Sequence, residues 1–491
     1  MTIVMPNIDL SLLYPQFVLG GAALLILLLG LFIPKNRQEI LSICGLATLN
    51  ITIISMMAIQ GKLGTSTLNN MVTFDGFSLL FSLLFVISSA LVFVLSAPFV
   101  SKENVPGGEY YSLMLFATLG MVVMASTTDL VIMFLGLELM SIPLYVLSSI
   151  TRSDKNAAES GMKYLLMGAF SSSFLLYGIA FLYGCTGSTN LKDIGAWLTT
   201  HPAGYHDWMV PAGVGLFLIG IGFKVGLVPF HAWIPDVYEG APTVVTAFMT
   251  VGPKAAAFAA LCRFFLGGAF NPASEFGAIH WPALLGVLAA LTMLMGNLVA
   301  VAQTNIKRML AYSYIAHAGY MLVGLNSAKP EAMASIYFYL VGYMLMNLGA
   351  FAIVYMLQGA DKKGLQIKRY TGLGYRKPIL ALTMSVFLLS LTGFPLTVGF
   401  IGKLYLFKDA IAAGNIGLVT LALLTSVVSA FYYLRVVVYM FMREDVSEDQ
   451  HPLPVIPSLG TLMVSICLAG VLYLGLFPSN ILNAVLKLIK L

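Results

Sequence analysis

Ionisable residues lie inside long apolar stretches of this sequence, where charged side chains are rare. The acidic and basic members of this set are Glu138, Lys224, Lys254 and Lys403. A charge at the centre of a membrane helix costs about 2.5–3.5 kcal/mol on insertion scales, so such residues face protein or water. One carboxylate cannot neutralise three lysines, and burial disfavours the charged form of a lysine, which can then release its proton. The pattern therefore predicts proton transfer, with static interhelical ion pairing as the alternative.

Two histidines could extend this set of proton carriers. His317 lies in YSYIAHAGYML and His231 lies in VPFHAWIPD. Histidine titrates near neutral pH, but a lone buried histidine more often serves packing, so a relay role for His317 depends on the lysines. Nearby side chains offer hydroxyl or amide links: Tyr312, Tyr314, Tyr320, Tyr343 and Asn347.

Helix-breaking residues accompany the buried lysines. Pro229 closely follows Lys224 in GFKVGLVPF, and Pro395 precedes Lys403 in GFPLTVGFIGK. Interrupted helices at membrane depth are tolerated where they are buried or line a cavity, and they mark ion sites in transporters. We therefore expect each of these lysines to lie at a broken helix.

The composition indicates the class of protein that must position these residues. Of 491 residues, 59% are hydrophobic and 10% are charged, whereas soluble domains average about 25% charged residues. Apolar runs of roughly 20 residues, each long enough to cross a bilayer, recur about fourteen times. The sequence therefore predicts an all-α polytopic membrane protein with about fourteen transmembrane helices.

The order of the apolar runs predicts four segments. Residues 1–109 contain three N-terminal spans, residues 110–268 and 282–442 contain five spans each, and residues 443–491 contain a last span and a tail. The fourth span of each five-span block is broken, and these are helices 7 and 12 of the chain. Blocks of five spans have opposite orientations in the membrane, so we expect two inverted repeats.

Lysine and arginine are concentrated in alternate loops, which fixes an expected orientation. Arg152 and Lys155 lie in one such loop, and Lys368, Arg369 and Arg376 lie in another. The positive-inside rule places these loops in the cytoplasm. With about fourteen spans, both termini would face the outer side of the membrane.

The sequence does not indicate a redox centre, a metal site or a nucleic-acid-binding surface. The four cysteines, at positions 44, 185, 262 and 467, are far apart and lack the spacing of an iron–sulfur or zinc site. The net charge of +5 arises from loop lysines rather than from a nucleic-acid surface. We expect no cofactor-binding or metal residues.

Four motifs resemble the antiporter-like membrane subunits of bacterial respiratory complex I, and among them subunit N most closely. The motifs are LGLELMSIPLYVL, GFKVGLVPFHAWIPDVYEGAP, QTNIKRMLAYSYIAHAGYML and GFPLTVGFIGKLYLF. The resemblance runs nearly end to end. Glu138 resembles the family's glutamate on helix 5 and Lys224 its partner lysine on broken helix 7. Lys403 resembles the terminal lysine on broken helix 12, where the sister subunit M carries glutamate.

Two departures from the sister subunits favour subunit N. Lys254 stands where subunits L and M and Mrp-type antiporters usually have histidine, and Asn347 stands where they often have lysine. The resemblance therefore implies a central relay through Lys254 and His317. Glu159 and Lys163 also match the family pattern, and we expect them to form a surface ion pair.

The resemblance implies a proton-translocating membrane subunit of an NADH:quinone oxidoreductase, with no redox centre in this chain. The whole complex would use NADH, FMN, iron–sulfur clusters and a quinone. Implied partners are other membrane-arm subunits, especially subunit M and the small membrane subunits, together with lipid. Charge movement along the membrane arm would open or close the Glu138–Lys224 pair, and protons would pass by Lys254 and His317 to Lys403.

Three alternatives stay open at this point. The first is a Mrp-type cation/proton antiporter subunit that works without redox chemistry. The second is a scaffold whose buried charges are static, and the third is a solute transporter. Like His317, His231 has a weaker predicted role than Glu138 and the lysines, as a group that could hand protons to water next to Pro229.

Overall fold

The computed structural model describes residues 8–34, 37–201, 208–267, 281–359, 363–443 and 458–489. In these ranges the chain is almost entirely helical, which confirms the predicted all-α class. Residues 268–280, between the two predicted five-span blocks, and residues 444–457, in the last predicted segment, lie outside the described residues. The α-helices are α1 (Tyr14–Phe32), α2 (Glu39–Ala58), α3 (Gly76–Lys102), α4 (Gly107–Ala125), α5 (Leu130–Ser148), α6 (Lys155–Thr186), α7 (Leu191–Thr200), α8 (Met209–Val225), α9 (Trp233–Gly240), α10 (Thr243–Leu266), α11 (Trp281–Ala302), α12 (Ile306–Leu325), α13 (Ala332–Leu357), α14 (Leu373–Arg376), α15 (Pro378–Thr392), α16 (Val398–Ala412), α17 (Ile416–Met442), α18 (Ser458–Leu476) and α19 (Pro478–Ile489).

Short elements complete the described chain. Strands β1 (Thr65–Thr67) and β2 (Val72–Phe74) pair antiparallel between α2 and α3. The 3₁₀ helices are Leu10–Leu13, Gln60–Lys62, Lys363–Leu365 and Ile367–Tyr370.

Eleven helices within the described ranges are long and apolar enough to cross a membrane, judged by length and composition. They are α1 to α6, α10, α11, α13, α17 and α18, where α1 is counted together with the 3₁₀ turn before it. Helices α8 and α15 are apolar but shorter, because each is the first half of a broken span. The protein is therefore a multi-pass membrane protein, and the count of fourteen spans stays a prediction.

Burial separates central from peripheral helices. The most apolar window of α10 is 100% buried and that of α13 is 89% buried, against 28% for α1 and 33% for α17. Large apolar side chains such as Leu31, Phe32 and Val427 are exposed on the peripheral helices. An apolar outer surface around a closed helical bundle is what a bilayer requires, because lipid cannot satisfy exposed backbone groups. The central helices α10, α12 and α13 carry Lys254, His317 and their neighbours.

Both predicted helix breaks are present, and a glycine terminates the first half of each. Gly226, with φ of +83°, directly follows the last residue of α8, and Gly393, with φ of +96°, directly follows the last residue of α15. In each case the N–H of the glycine and that of the next residue return to one carbonyl, that of Gly222 or Leu389, at 2.8–3.1 Å. Glycine adopts this left-handed conformation at little cost and so closes the helix. The breaks leave backbone carbonyls next to Lys224 and Lys403 available to side-chain donors.

Candidate functional site

The structure buries four of the six predicted site residues completely or nearly so. Lys224, Lys254, His317 and Lys403 are 2%, 0%, 1% and 5% exposed. Glu138 and His231 are partly buried. Burial of this many titratable groups in one helical bundle requires polar partners, because an isolated buried charge is strongly disfavoured.

Lys224 lies in a cage of aromatic rings at the end of α8. Its Nζ donates a hydrogen bond to Tyr145 Oη at 3.0 Å. The same Nζ lies 4.8 Å and 4.9 Å from the ring centroids of Tyr145 and Tyr164, and 5.4 Å from that of Phe223. Trp233 stacks on Tyr164 from behind, with the ring centroids 4.4 Å apart. Such rings attract an ammonium ion, so the cage can hold Lys224 while it is charged.

Glu138 lies near Lys224 but does not touch it. The charge of Glu138 acts on Lys224, yet within the described residues the two form no ion pair at 4.0 Å or less. The Oε1 atom of Glu138 is buried and has no hydrogen-bond partner there. The predicted pair is thus open in this structure, and Lys224 is bound to Tyr145 instead.

The loosened backbone at the end of α8 is tied to other elements by side chains. Trp233 Nε1 donates to the carbonyl of Phe223 at 3.0 Å, and Tyr314 Oη donates to the carbonyl of Lys224 at 3.0 Å. These are carbonyls that a helix end leaves without an intrahelical partner. The break is therefore stabilised by α9 and α12.

Lys254 is connected to Lys224 through Tyr314. Its Nζ donates to the backbone carbonyl of Tyr314 at 2.7 Å and lies 3.8 Å from the centroid of the Tyr314 ring. The ring of Tyr343 covers the same ammonium group at 4.4 Å. Because Tyr314 also binds the carbonyl of Lys224, one residue of α12 contacts both lysines.

His317 is bound at both ring nitrogens by tyrosine hydroxyl groups. Its Nδ1 lies 2.5 Å from Tyr339 Oη and its Nε2 lies 3.2 Å from Tyr433 Oη. Its ring lies 5.2 Å from that of Tyr343, which covers Lys254, and 5.7 Å from that of Tyr320, which covers Lys403. The place of His317 in the relay stays a prediction, and both of its hydrogen-bonding partners were absent from that prediction.

Lys403 folds back onto the end of the other broken helix. Its Nζ donates to the carbonyl of Thr392 at 2.8 Å, to that of Leu391 at 3.3 Å and to Ser426 Oγ at 2.7 Å. The ring of Tyr320 lies 4.7 Å from this ammonium group. The C-terminal end of a helix carries a partial negative charge, so α15 stabilises charged Lys403 without a carboxylate.

Two further predicted residues have less connected positions. His231 lies between α8 and α9, and its Nδ1 is buried without a hydrogen-bond partner among the described residues, so its role stays a prediction. Asn347 donates to Thr250 Oγ1 at 2.6 Å, one helical turn before Lys254 on α10. Asn347 lies on α13, the eleventh predicted span. The sister subunits often carry a lysine at this position, and the predicted relay in this chain does not use it.

A network of ion pairs lies where α6, α9 and α12 meet. Lys163 binds Glu159 and Asp236, each at 2.8 Å, and Arg308 binds Asp236 at 2.8 Å and Glu239 at 2.9 Å. The Glu159–Lys163 pair is the expected one, and sequence reasoning missed the other three residues. They border a cavity of about 210 Å³. Exposed single pairs contribute little to stability, but a network can fix the relative positions of the helices.

Metal-binding groups are absent from the part of the chain that the structure describes. No set of three or more histidine, cysteine, aspartate or glutamate residues lies there in an arrangement that could hold a metal ion.

Comparisons with known proteins show the family of the chain. Residues 127–429 match the family described as NADH:quinone oxidoreductase/Mrp antiporter, transmembrane. The chain is 43% identical to NADH-quinone oxidoreductase subunit N of Trichlorobacter lovleyi over 488 residues, which cover 99% of this chain and 98% of that protein.

Solved structures share the fold. A chain of respiratory complex I from Thermus thermophilus superposes with a TM-score of 0.80 at 35% identity, covering 96% of this chain and 99% of that one. A chain of the Mrp complex from Dietzia superposes with a TM-score of 0.78 at 21% identity, covering 97% and 98%. The second similarity is one of fold alone.

Proposed function

Since the chain belongs to the family of membrane subunits shared by NADH:quinone oxidoreductases and Mrp antiporters, we propose that it is the proton-translocating subunit N of an NADH:quinone oxidoreductase. The 43% identity with a subunit N along nearly the whole chain supports this assignment over a Mrp antiporter subunit. The structural observation that carries it is the buried row from Lys224 through Lys254 and His317 to Lys403.

Electron transfer would take place in partner subunits. NADH, FMN, iron–sulfur clusters and quinone would be bound by other parts of the complex, and this chain would contact the neighbouring membrane-arm subunits and lipid. Its own part is to move protons when charge shifts along the membrane arm.

Lys224 would switch between two partners. In this structure, Tyr145 and the aromatic cage hold its ammonium group, while Glu138 Oε1 has no hydrogen-bond partner among the described residues. Closure of the Glu138–Lys224 pair would favour the charged lysine, because a nearby opposite charge stabilises the protonated form. Opening of the pair lowers that preference, and the proton can move on toward Lys254.

The remaining residues would carry the proton across the bundle. Tyr314 contacts both Lys224 and Lys254, and His317 would pass the proton from the Lys254 site toward Lys403. At the far end, Lys403 would hold the proton against the carbonyls of α15 until it is released.

The decisive experiment measures proton pumping and NADH oxidation in membrane vesicles that contain the assembled complex. We expect Lys224→Ala, Lys403→Ala and Glu138→Gln each to lower the pumping rate at least about tenfold, since a positioned proton-transfer group contributes that much or more. Lys408→Ala is the matched control, because Lys408 lies on the same helix as Lys403 but is exposed. Full pumping by an assembled Lys224→Ala complex would contradict the proposal.

Purification separates the proposal from the antiporter alternative. A tagged chain that copurifies with NADH:quinone reductase activity and bound flavin belongs to a redox complex. A chain that copurifies only with hydrophobic subunits and supports cation/proton exchange without redox activity would be a Mrp-type subunit instead.

A further inference from the structure

His317 and its hydrogen-bonding partners fill the interval between Lys254 and Lys403. Within the described residues, neither lysine donates a hydrogen bond to His317. Both ring nitrogens instead meet phenol groups, at 2.5 Å for Tyr339 and 3.2 Å for Tyr433. All three side chains are at most 1% exposed. A buried imidazole bound on both sides by hydroxyl groups has the connectivity of a proton conductor.

We propose that Ser313, Tyr433, His317 and Tyr339 form a hydrogen-bonded proton path that joins the Lys254 site to the Lys403 site. This inference rests on the proposed function and adds three hydroxyl residues to the relay. Tyr433 on α17 and Tyr339 on α13 become proton-carrying residues, and Ser313 connects them to the Lys254 end.

The chemistry of the path is balanced. Neutral histidine has one N–H donor and one nitrogen acceptor, so one phenol donates to the ring while the other accepts from it. When Tyr433 takes up a proton from the Ser313 side, it passes its own hydroxyl proton to Nε2. Nδ1 then gives its proton to Tyr339, which releases one proton beyond it. One proton enters and one leaves, no residue keeps a charge, and the imidazole changes tautomer.

The two ends of the path lie near the lysine sites, although among the described residues neither end has a hydrogen bond to a lysine. The hydroxyl of Ser313 is hydrogen-bonded to Tyr433 Oη, and the next residue, Tyr314, accepts the hydrogen bond from Lys254 through its carbonyl. At the other end, the ring of Tyr339 packs directly on Gly402, where an added Cβ would lie 2.7 Å from Cδ2 of that ring. Gly402 immediately precedes Lys403, so the second phenol packs on α16, the helix that carries the terminal lysine.

Tyr432 provides a matched comparison for Tyr433. The two residues are neighbours on α17 and both are fully buried. Tyr432 Oη donates to Asn297 Oδ1 at 3.1 Å rather than to His317. Loss of the Tyr432 hydroxyl removes one of these buried hydrogen bonds and loss of the Tyr433 hydroxyl removes two, so both variants carry a structural cost, but only Tyr433 lies on the path.

The test compares Tyr433→Phe, Tyr339→Phe and Tyr432→Phe in the assembled complex. Protons pumped per NADH oxidised are measured in vesicles, and the amount of complex is measured by NADH oxidation with an artificial electron acceptor. We expect the pumping rate to fall at least about tenfold in Tyr433→Phe and Tyr339→Phe and to stay near the unmodified level in Tyr432→Phe. His317→Gln, which keeps hydrogen-bonding groups but cannot change tautomer, should behave like the first two.

The outcomes separate this inference from the proposed function. If Tyr433→Phe and Tyr339→Phe pump normally while Lys224→Ala does not, the path is wrong and the proposed function stands. If Lys224→Ala also pumps normally, the proposed function itself is wrong. Equal losses in Tyr432→Phe and Tyr433→Phe would indicate a packing effect and would overturn the path. Should Tyr433→Phe fail to assemble, Tyr339→Phe decides, because it removes the hydroxyl at the other ring nitrogen.

Discussion

Lys224, Lys254 and Lys403 donate their hydrogen bonds to phenol, hydroxyl and backbone carbonyl oxygens, whereas Arg263 donates to a carboxylate. The Arg263 guanidinium binds Asp75 through two nitrogens at 2.6 Å and 2.8 Å and also reaches the carbonyl of Ala125. A neutral hydrogen-bonding partner stabilises a charged lysine but does not require it to stay charged. A bidentate ion pair stabilises the charged forms of both of its residues. This difference supports the proposal that the three lysines exchange protons, whereas Arg263 connects α10, α3 and α4.

The Asp75–Arg263 pair leads to a stability prediction. Asp75→Asn keeps a side chain that can cap α3 but leaves a nearly buried guanidinium without its carboxylate, at a cost of about 3 kcal/mol. The thermal unfolding midpoint of the purified protein in detergent should fall accordingly. Asp9→Asn is the control, because Asp9 also caps a helix and pairs with Lys62, but both side chains are more than 40% exposed. An equal fall in both variants would contradict the argument.

The same pair has an expected pH dependence. Burial alone would raise the pKa of the Asp75 carboxyl, but Arg263 and the capping hydrogen bonds from Ser78 hold that pKa below its ordinary value. A carboxyl whose pKa is lower in the folded state stabilises the fold above its unfolded pKa, and this contribution is lost as the pH falls through the folded pKa. The stability difference between the unmodified protein and Asp75→Asn should stay constant from neutral pH to about 5 and shrink below about 4.

The buried charges of the site could be predicted from the sequence, whereas the relay hydroxyls and the ends of the broken helices could not. Charged residues in apolar runs are anomalous, so Glu138 and the buried lysines were identifiable without a fold. Tyrosine in an apolar run is ordinary, and Tyr433 lies 116 residues from His317, so the relay hydroxyls required the structure. The breaks were predicted from Pro229 and Pro395, yet α8 ends four residues before Pro229 and α15 ends three residues before Pro395. Each helix is followed by a left-handed glycine whose conformation only the backbone reveals.

Gly393 at the end of α15 allows a test of the break itself. An alanine there would meet Lys403 at Cδ and Nζ, 3.2 Å and 3.4 Å from the added Cβ, whereas an alanine at Gly187, the left-handed end of α6, would meet nothing within 4 Å. Both changes impose roughly 1–2 kcal/mol of left-handed strain. We therefore expect both variants to assemble with similar loss of stability, and only Gly393→Ala to lower proton pumping in vesicles. Equal pumping in the two variants would show that Lys403 tolerates displacement.

At the scale of the whole molecule, similar contacts recur in the two halves of the chain. Asp129, which caps α5, forms a backbone bridge with Asn190, and Asn305, which caps α12, forms one with Gln366. The sequence separation between Asp129 and Asn305 is equal to the separation between Asn190 and Gln366. Helices α4 and α5 also approach closely at a glycine, as α11 and α12 do. We propose that residues 110–268 and 282–442 are two copies of one five-helix unit, in opposite orientations.

Opposite orientation places equivalent residues on opposite sides of the membrane, which is directly measurable. Lys192 and Lys368 each lie two residues after the bridged Asn190 and Gln366, and both are exposed. In a chain without its native cysteines, Lys192→Cys should react with a membrane-impermeant maleimide from the periplasmic side and Lys368→Cys from the cytoplasmic side. This result would also agree with periplasmic termini for fourteen spans. Labelling of both cysteines from one side would contradict the inverted repeat, because two units in the same orientation require an even number of spans between these positions.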